Sequence, residues 1–201
     1  MYYNSIQMSL FNYIKVCRLH RTINFSFMAF GALYSNHFVL NLDLLIKILM
    51  IYSIFGILLY GGIYSFNNYV DRFDDFKDKN KKNRLIPSGK LKPKNVFLLS
   101  SILIAISFVL GFVFLRDLIL FQIYLLVTNI IYTTFLKYRN VYLSIITVAT
   151  TGPTKFLLGY FAIQKNMTYE VLIISLVHYL CSVAYHARKF IYSGKLSKKM
   201  K

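Results

Sequence analysis

The chain has no tryptophan, two cysteines and only seven carboxylates among 201 residues. Cys17 and Cys181 are too far apart to form a metal-binding spacing or a disulfide framework, so both read as packing residues. The polar first dozen residues lack a small-residue cleavage pattern, which argues against a secretory signal peptide. Scarce acid leaves a net charge of +17. In a soluble domain that excess would point to nucleic acid. Here the composition is 57% hydrophobic and 15% charged, with mean hydropathy +0.52, and the basic residues sit in short stretches between long apolar runs. This pattern excludes a soluble nucleic-acid binder. It indicates a single-domain, all-α polytopic membrane protein whose partner is the bilayer.

Residues 1–21, with Lys15, Arg18 and Arg21, read as an interfacial amphipathic segment. About six spans follow, each near the ~20 residues a bilayer needs. They are Ile23–Val39, Leu44–Ser65, Asn95–Leu115 (opened by Pro93), Leu118–Leu136, Tyr142–Ile163 and Tyr169–Tyr192. A basic tail, 193–201, reads as a contact for anionic lipid. The basic residues alternate from one connection to the next. There are three before the first span, none in the next connection, nine between spans two and three, then one, two and one, and six around the end of the last span. The positive-inside rule then places both termini and the connection 66–94 in the cytoplasm of a multi-pass protein of the cell (inner) membrane.

That connection holds four of the seven carboxylates, Asp71, Asp74, Asp75 and Asp78. If the second span continues as a helix, Asn67, Asn68, Asp71, Asp74, Asp75 and Asp78 share an arc of about 120°. Like charges one turn apart repel, and a divalent cation relieves them. Mg²⁺ takes one or two carboxylates and completes its shell with water and phosphate oxygens. The basic run Lys77–Arg84 supplies phosphate donors. Acidic face and basic run together suggest a metal–diphosphate site. The competing reading is a solvated, self-paired helix. Lys155, well inside the fifth span, is a candidate phosphate contact on the ground that intramembrane lysines are costly.

The block resembles the first acidic motif of the UbiA-type intramembrane prenyltransferases, N-D-x-x-D-x-x-x-D, in the run Asn67-Asn68-Tyr69-Val70-Asp71-Arg72-Phe73-Asp74-Asp75, with Asn68 in place of one Asp. Asn83-Arg84-Leu85-Ile86-Pro87-Ser88-Gly89 is similar to the family's N-R-P-(I/L)-P-S-G, with Leu85 for Pro. Arg18-Leu19-His20-Arg21-Thr22-Ile23-Asn24 resembles its R-x-x-R-P-x-N, and Tyr132–Lys137 its Y-T/S-x-x-L-K. Gly152–Gly159 resembles its fifth-helix segment. The resemblance implies transmembrane helices around a central cavity open to the cytoplasm. It also implies an Mg²⁺-dependent transfer of a polyprenyl group from its diphosphate to an acceptor. It assigns Asn67, Asn68, Asp71 and Asp75 to metal binding and catalysis. It assigns Asn24, Tyr69, Lys81, Arg84, Lys137, Lys155, Arg188 and Lys189 to substrate. Tyr69 is the aromatic singled out to shield an allylic cation.

The second acidic motif of the family has no counterpart. The corresponding stretch, Ala184–Ser193, has His186, Arg188 and Lys189 where carboxylates are expected, and no Asp or Glu follows Glu170. The family continues for further helices. Three expectations compete: a truncated or degenerate member, a chain completed by a second subunit, and a member of another branch. In that branch, the decaprenyl-phosphate phosphoribosyltransferases, a basic-basic-aromatic run resembles Arg188-Lys189-Phe190.

Overall fold

The computed structural model describes residues 10–192; the expected basic tail and the first nine residues lie outside them. Every regular element among the described residues is helical. In chain order these are α1 (10–16), α2 (Ser26–Ser35), α3 (Leu42–Val70), α4 (Arg72–Lys77), α5 (Pro93–Phe114), α6 (Arg116–Leu136), α7 (Val141–Phe161) and α8 (Tyr169–Tyr192). A 3₁₀ stretch, Leu19–Phe25, joins α1 to α2. Five helices, α3 and α5 to α8, are long and apolar enough to cross a membrane.

The first expected span does not form as drawn. Ten residues of α2 rise about 15 Å, and only together with the 3₁₀ stretch Leu19–Phe25 that runs into them does the segment approach the ~30 Å of a hydrocarbon core. The chain turns at Asn36, whose N–H reaches the carbonyls of Ala32 and Leu33 and whose Nδ2 donates to Val39 O at 2.5 Å. His37 and Phe38 follow with φ of 52° and 60°, left-handed values that end a helix. Asn41 then caps α3 by accepting from the Leu44 N–H at 2.8 Å. Asn36 therefore ends the first expected span early, and Asn41 starts the second a little sooner than expected. The second span is longer than expected, reaching Val70. Pro93 does open α5, where its missing N–H costs nothing.

The helices group into two compact units. In the first, α1, α5 and α3 from Tyr52 onward pack through small residues. The Ser100 hydroxyl donates to the Gly62 carbonyl at 2.8 Å, and a Cβ on Gly62 would lie 2.7 Å from Ile104 Cγ1. The residues α5 buries are Val96, Ser100, Ser107 and Gly111, whereas Phe97, Ile102, Ile106, Val109 and Val113 are exposed. Small and polar inside with bulky and apolar outside is the arrangement a lipid solvent selects.

In the second unit α2 crosses α7 backbone to backbone. A Cβ on Gly31 would overlap the Phe156 carbonyl, and one on Gly159 would overlap that of Met28. Neither carbonyl can move without shifting its helix. Gly159→Ala is therefore expected to destabilise the protein by about 1–3 kcal/mol, the usual range for overpacking. A lowered thermal-unfolding midpoint in detergent checks this; an unchanged midpoint would show that the crossing is looser than drawn.

Candidate functional site

The acidic block stays helical beyond the end of α3. Asp71 N–H bonds to Asn67 O, Asp75 N–H to Asp71 O and Asp78 N–H to Asp74 O, so the i, i+4 ladder persists through the one-residue break at Asp71. Its oxygens nevertheless serve different ends. Asn68 and Asp75, seven residues apart, are buried, while Asp74 is exposed. Asp78 accepts from Lys81 at 2.8 Å and from the Asn80 N–H at 2.9 Å, and these bonds hold its carboxyl below the usual range.

Both buried members meet a guanidinium. Arg84 Nη1 donates to Asp75 Oδ2 at 2.6 Å. Arg18 Nη2 donates to Asn68 Oδ1 at 2.5 Å. Arg18 sits where α1 gives way to the 3₁₀ stretch, with φ of 51°. Its backbone is thus left-handed, a conformation that a non-glycine residue keeps only where its surroundings fix it. Burial pushes its pKa down to about 10; Arg21 and Arg84 push the same way, and Asp71 and Asp75 oppose them. The guanidinium remains charged at neutral pH.

These residues line a cavity of about 470 Å³ within the first unit. Lys15, Arg18, His20, Arg21, Arg84 and Lys90 contribute basic groups, Asp75 the carboxylate, and Asn12, Asn68, Asn80 and Asn83 amides. Its floor is packed by Val16, Cys17, Ile86, Leu91 and Val96, which hold the α1 segment against the 84–91 turn and α5. Arg18, His20, Arg21, Lys15 and Lys90 were missed as site residues by sequence reasoning. The signal available was the charge of residues 15–21 together with their place in a quoted motif.

The other sequence candidates fall elsewhere. Lys81 is turned to Asp78 and does not line the cavity. Asn24 is exposed. Tyr69 packs on Phe97 with ring centroids 5.1 Å apart, and Arg72 lies 4.1 Å over its face. That face therefore already holds a cation. Lys155, Lys137, Arg188 and Lys189 belong to the second unit. Lys155 is buried, its Nζ 5.0 Å from the centroid of the Phe25 ring. The side chains of Lys189 and Phe190 lie outside the described residues.

The donors can be weighed against a divalent cation. Among the described residues no three His, Cys, Asp or Glu side chains come together as a metal site. Asn67 and Asp71, one turn apart on the helix, carry an amide and a carboxylate but do not line the cavity, and Asp75 gives Oδ2 to Arg84 Nη1. That set meets the one or two carboxylates Mg²⁺ needs beside water and phosphate oxygens. Asn68 does not join it, because its oxygen is given to Arg18.

The sequence model of the UbiA prenyltransferase family matches residues 24–192. The chain belongs to the UbiA prenyltransferase family. Among curated protein sequences none matches significantly. A solved structure described as digeranylgeranylglyceryl phosphate synthase in membranes superposes with a TM-score of 0.79 at 21% identity. The superposition covers 95% of this chain and 66% of that one, so the two share the UbiA fold and this chain spans about two-thirds of the other's length.

The burial of the Asp75–Arg84 pair can be tested. Arg84 is partly exposed and can turn to water when its partner is removed; Asp75, 5% exposed, cannot. Arg84→Gln is expected to cost about 1–3 kcal/mol, more than Asp75→Asn, because it strands a buried carboxylate. A double-mutant cycle on thermal unfolding in detergent reads the difference; equal costs would place Asp75 in water.

Proposed function

We propose that this chain is an integral-membrane transferase that moves a polyprenyl group from its diphosphate to an acceptor, with the diphosphate seated in the cavity lined by Arg18, Arg21 and Arg84. The carrying observation is the concentration of guanidinium and ammonium groups at that cavity, next to the acidic motif of a UbiA-family chain. Guanidinium forks match phosphate oxygens in pairs, and the partly buried setting strengthens each such bond. The fold shared with a structure described as digeranylgeranylglyceryl phosphate synthase in membranes is in keeping with a lipid substrate. The apolar outer surface of α5 places the chain in the phase where an isoprenoid dissolves.

Asn67 and Asp71, with the second oxygen of Asp75, would hold Mg²⁺. Such an ion, when bound, supplies Lewis acidity to the leaving diphosphate. The chain's own residues do the rest. Arg84, fixed by Asp75, and Arg18, fixed by Asn68, hold the diphosphate and offset the charge that grows on it as the C–O bond breaks and the electron pair leaves with oxygen. The acceptor then attacks the allylic carbon. Lys155, in the second unit, is a candidate for acceptor or substrate contact.

Purified protein is expected to transfer a prenyl group in the presence of Mg²⁺, and Asp71→Ala to lose at least about a hundredfold in rate, the usual loss when one electrostatic contact to the transition state is removed. Product analysis with geranylgeranyl diphosphate and, separately, phosphoribosyl diphosphate checks this. Transfer from the second donor alone would assign the chain to the phosphoribosyltransferase branch. Turnover with neither would make it a non-catalytic member or one completed by a second subunit. We place the cavity and both termini on the cytoplasmic side of the cell membrane, a reading that the distribution of basic residues supports. A C-terminal green fluorescent protein fusion is then expected to fluoresce, and a periplasmic alkaline phosphatase fusion at the same point to be inactive.

A further inference from the structure

Position 68 is where the acidic motif carries an amide, and the contacts of that amide explain why. Its Nδ2 donates to the Val16 carbonyl at 3.0 Å and to the Tyr64 carbonyl at 2.8 Å. Both N–H groups are spent on carbonyl oxygens, so the amide cannot be flipped and Oδ1 must face Arg18. A carboxylate here would set an oxygen against two carbonyls. Asn68 is therefore matched to three protein partners at once.

The neutral amide has a second consequence. It orients the Arg18 guanidinium without cancelling its charge. Arg18 is fixed in a left-handed backbone conformation at the end of α1, with Cys17 and Val16 packed beneath it. It lines the cavity together with Lys15, Arg21, Arg84, His20 and Lys90. Asp75 is the carboxylate of that lining, and it is already paired with Arg84. The lining thus carries a cationic excess before any divalent ion is added.

We propose that Asn68 is a positioning residue that presents Arg18 to the cavity, and that the guanidinium cluster there binds a diphosphate directly, without a divalent cation bridging it to position 68. The proposal rests on the reading that the donor diphosphate occupies this cavity. It changes what holds the diphosphate. Arg18 donates one arm of its fork to Asn68 and keeps its remaining N–H groups for phosphate oxygens. Asn67 and Asp71 serve a metal that assists departure of the leaving group, separate from anchoring.

The test is isothermal titration of the full-length, detergent-purified chain with inorganic diphosphate, once with EDTA and once with Mg²⁺. The wild type is expected to bind in EDTA. Arg18→Gln is expected to weaken that binding by about tenfold or more, the worth of a charge-assisted hydrogen bond. Arg18→Lys is expected to restore only part of it, since an ammonium cannot hold Asn68 and a phosphate in one plane. Asn68→Asp is expected to weaken it as well, because a carboxylate would neutralise Arg18. A thermal-unfolding scan verifies that each variant folds, and the two Arg18 variants decide the matter if Asn68→Asp does not. Binding that appears only with Mg²⁺ and tightens in Asn68→Asp would overturn the proposal while leaving the diphosphate cavity intact. Binding in EDTA that Arg18→Gln leaves unchanged would overturn it too. Absence of binding under both conditions would overturn the proposal and the cavity reading together.

Discussion

The hydrogen bond from Arg18 to Asn68 joins the two stretches of chain that make the cavity, and most of the site's geometry depends on it. Asn68 lies near the C-terminal end of α3, and Arg18 fifty residues earlier at the end of α1. An apolar bilayer gives little driving force for holding two such segments together, because lipid is as apolar as leucine. Directional contacts then carry the specificity. Here one amide satisfies two backbone carbonyls and one guanidinium, so the α1 segment is fixed in register against α3. The Cys17–Ser65 contact at 3.5 Å runs along the same seam, and Asn95 Nδ2 on α5 donates to the Tyr13 hydroxyl at 3.0 Å from the other side. Burial raises the Cys17 thiol pKa, which keeps it protonated and able to act as a weak donor there.

The same economy governs the second unit. Its tightest contact is two glycines set against two carbonyls, Gly31 against Phe156 and Gly159 against Met28. Dispersion between closely approached backbones replaces the hydrophobic effect that a soluble core would use. Aromatic rings close the gap around it: Tyr34 lies 6.2 Å from Phe156 and 6.5 Å from Tyr160. The abundance of Phe and Tyr thus finds a packing explanation in much of this unit. Tyr69, the ring singled out for cation shielding, has Arg72 over its face instead.

Much of this was legible in the sequence. Helical class, the bounds of the four spans from α5 to α8 to within two residues, and the helical continuation as far as Lys77 all followed from hydropathy, Pro93 and the 3.6-residue period. What failed was local. The run 23–39 is apolar enough to span, but Asn36 and Asn41 offer side-chain hydrogen bonds that close a turn, and hydropathy does not register them. At the site, periodicity put six oxygen-bearing residues on one arc and treated them as equivalent. They are not, because the partners that separate them lie far off in sequence: Arg18 for Asn68, Arg84 for Asp75. Charge counting had assigned Arg18 and Arg21 to topology, and nothing in a one-dimensional reading brings residue 18 to residue 68.

That sorting of oxygens bears on the missing second acidic motif. Holding a diphosphate requires its charge to be met, either by metal ions that themselves need several carboxylates or by cations of the protein. A chain with seven carboxylates cannot supply many metal ligands, and three of the four in the block are already placed: Asp75 on Arg84, Asp78 on Lys81, Asp74 in solvent. Asp71, with Asn67, is the pair we propose for a metal. The basic residues show the opposite economy: they are plentiful, and six groups at the cavity, His20 included, are directed to one volume. Substituting an amide at position 68 is consistent with that balance, since it spares a carboxylate and frees a guanidinium in one change. On this account the amide at position 68 belongs to the proposed shift from anion binding through metal ions toward anion binding through arginine.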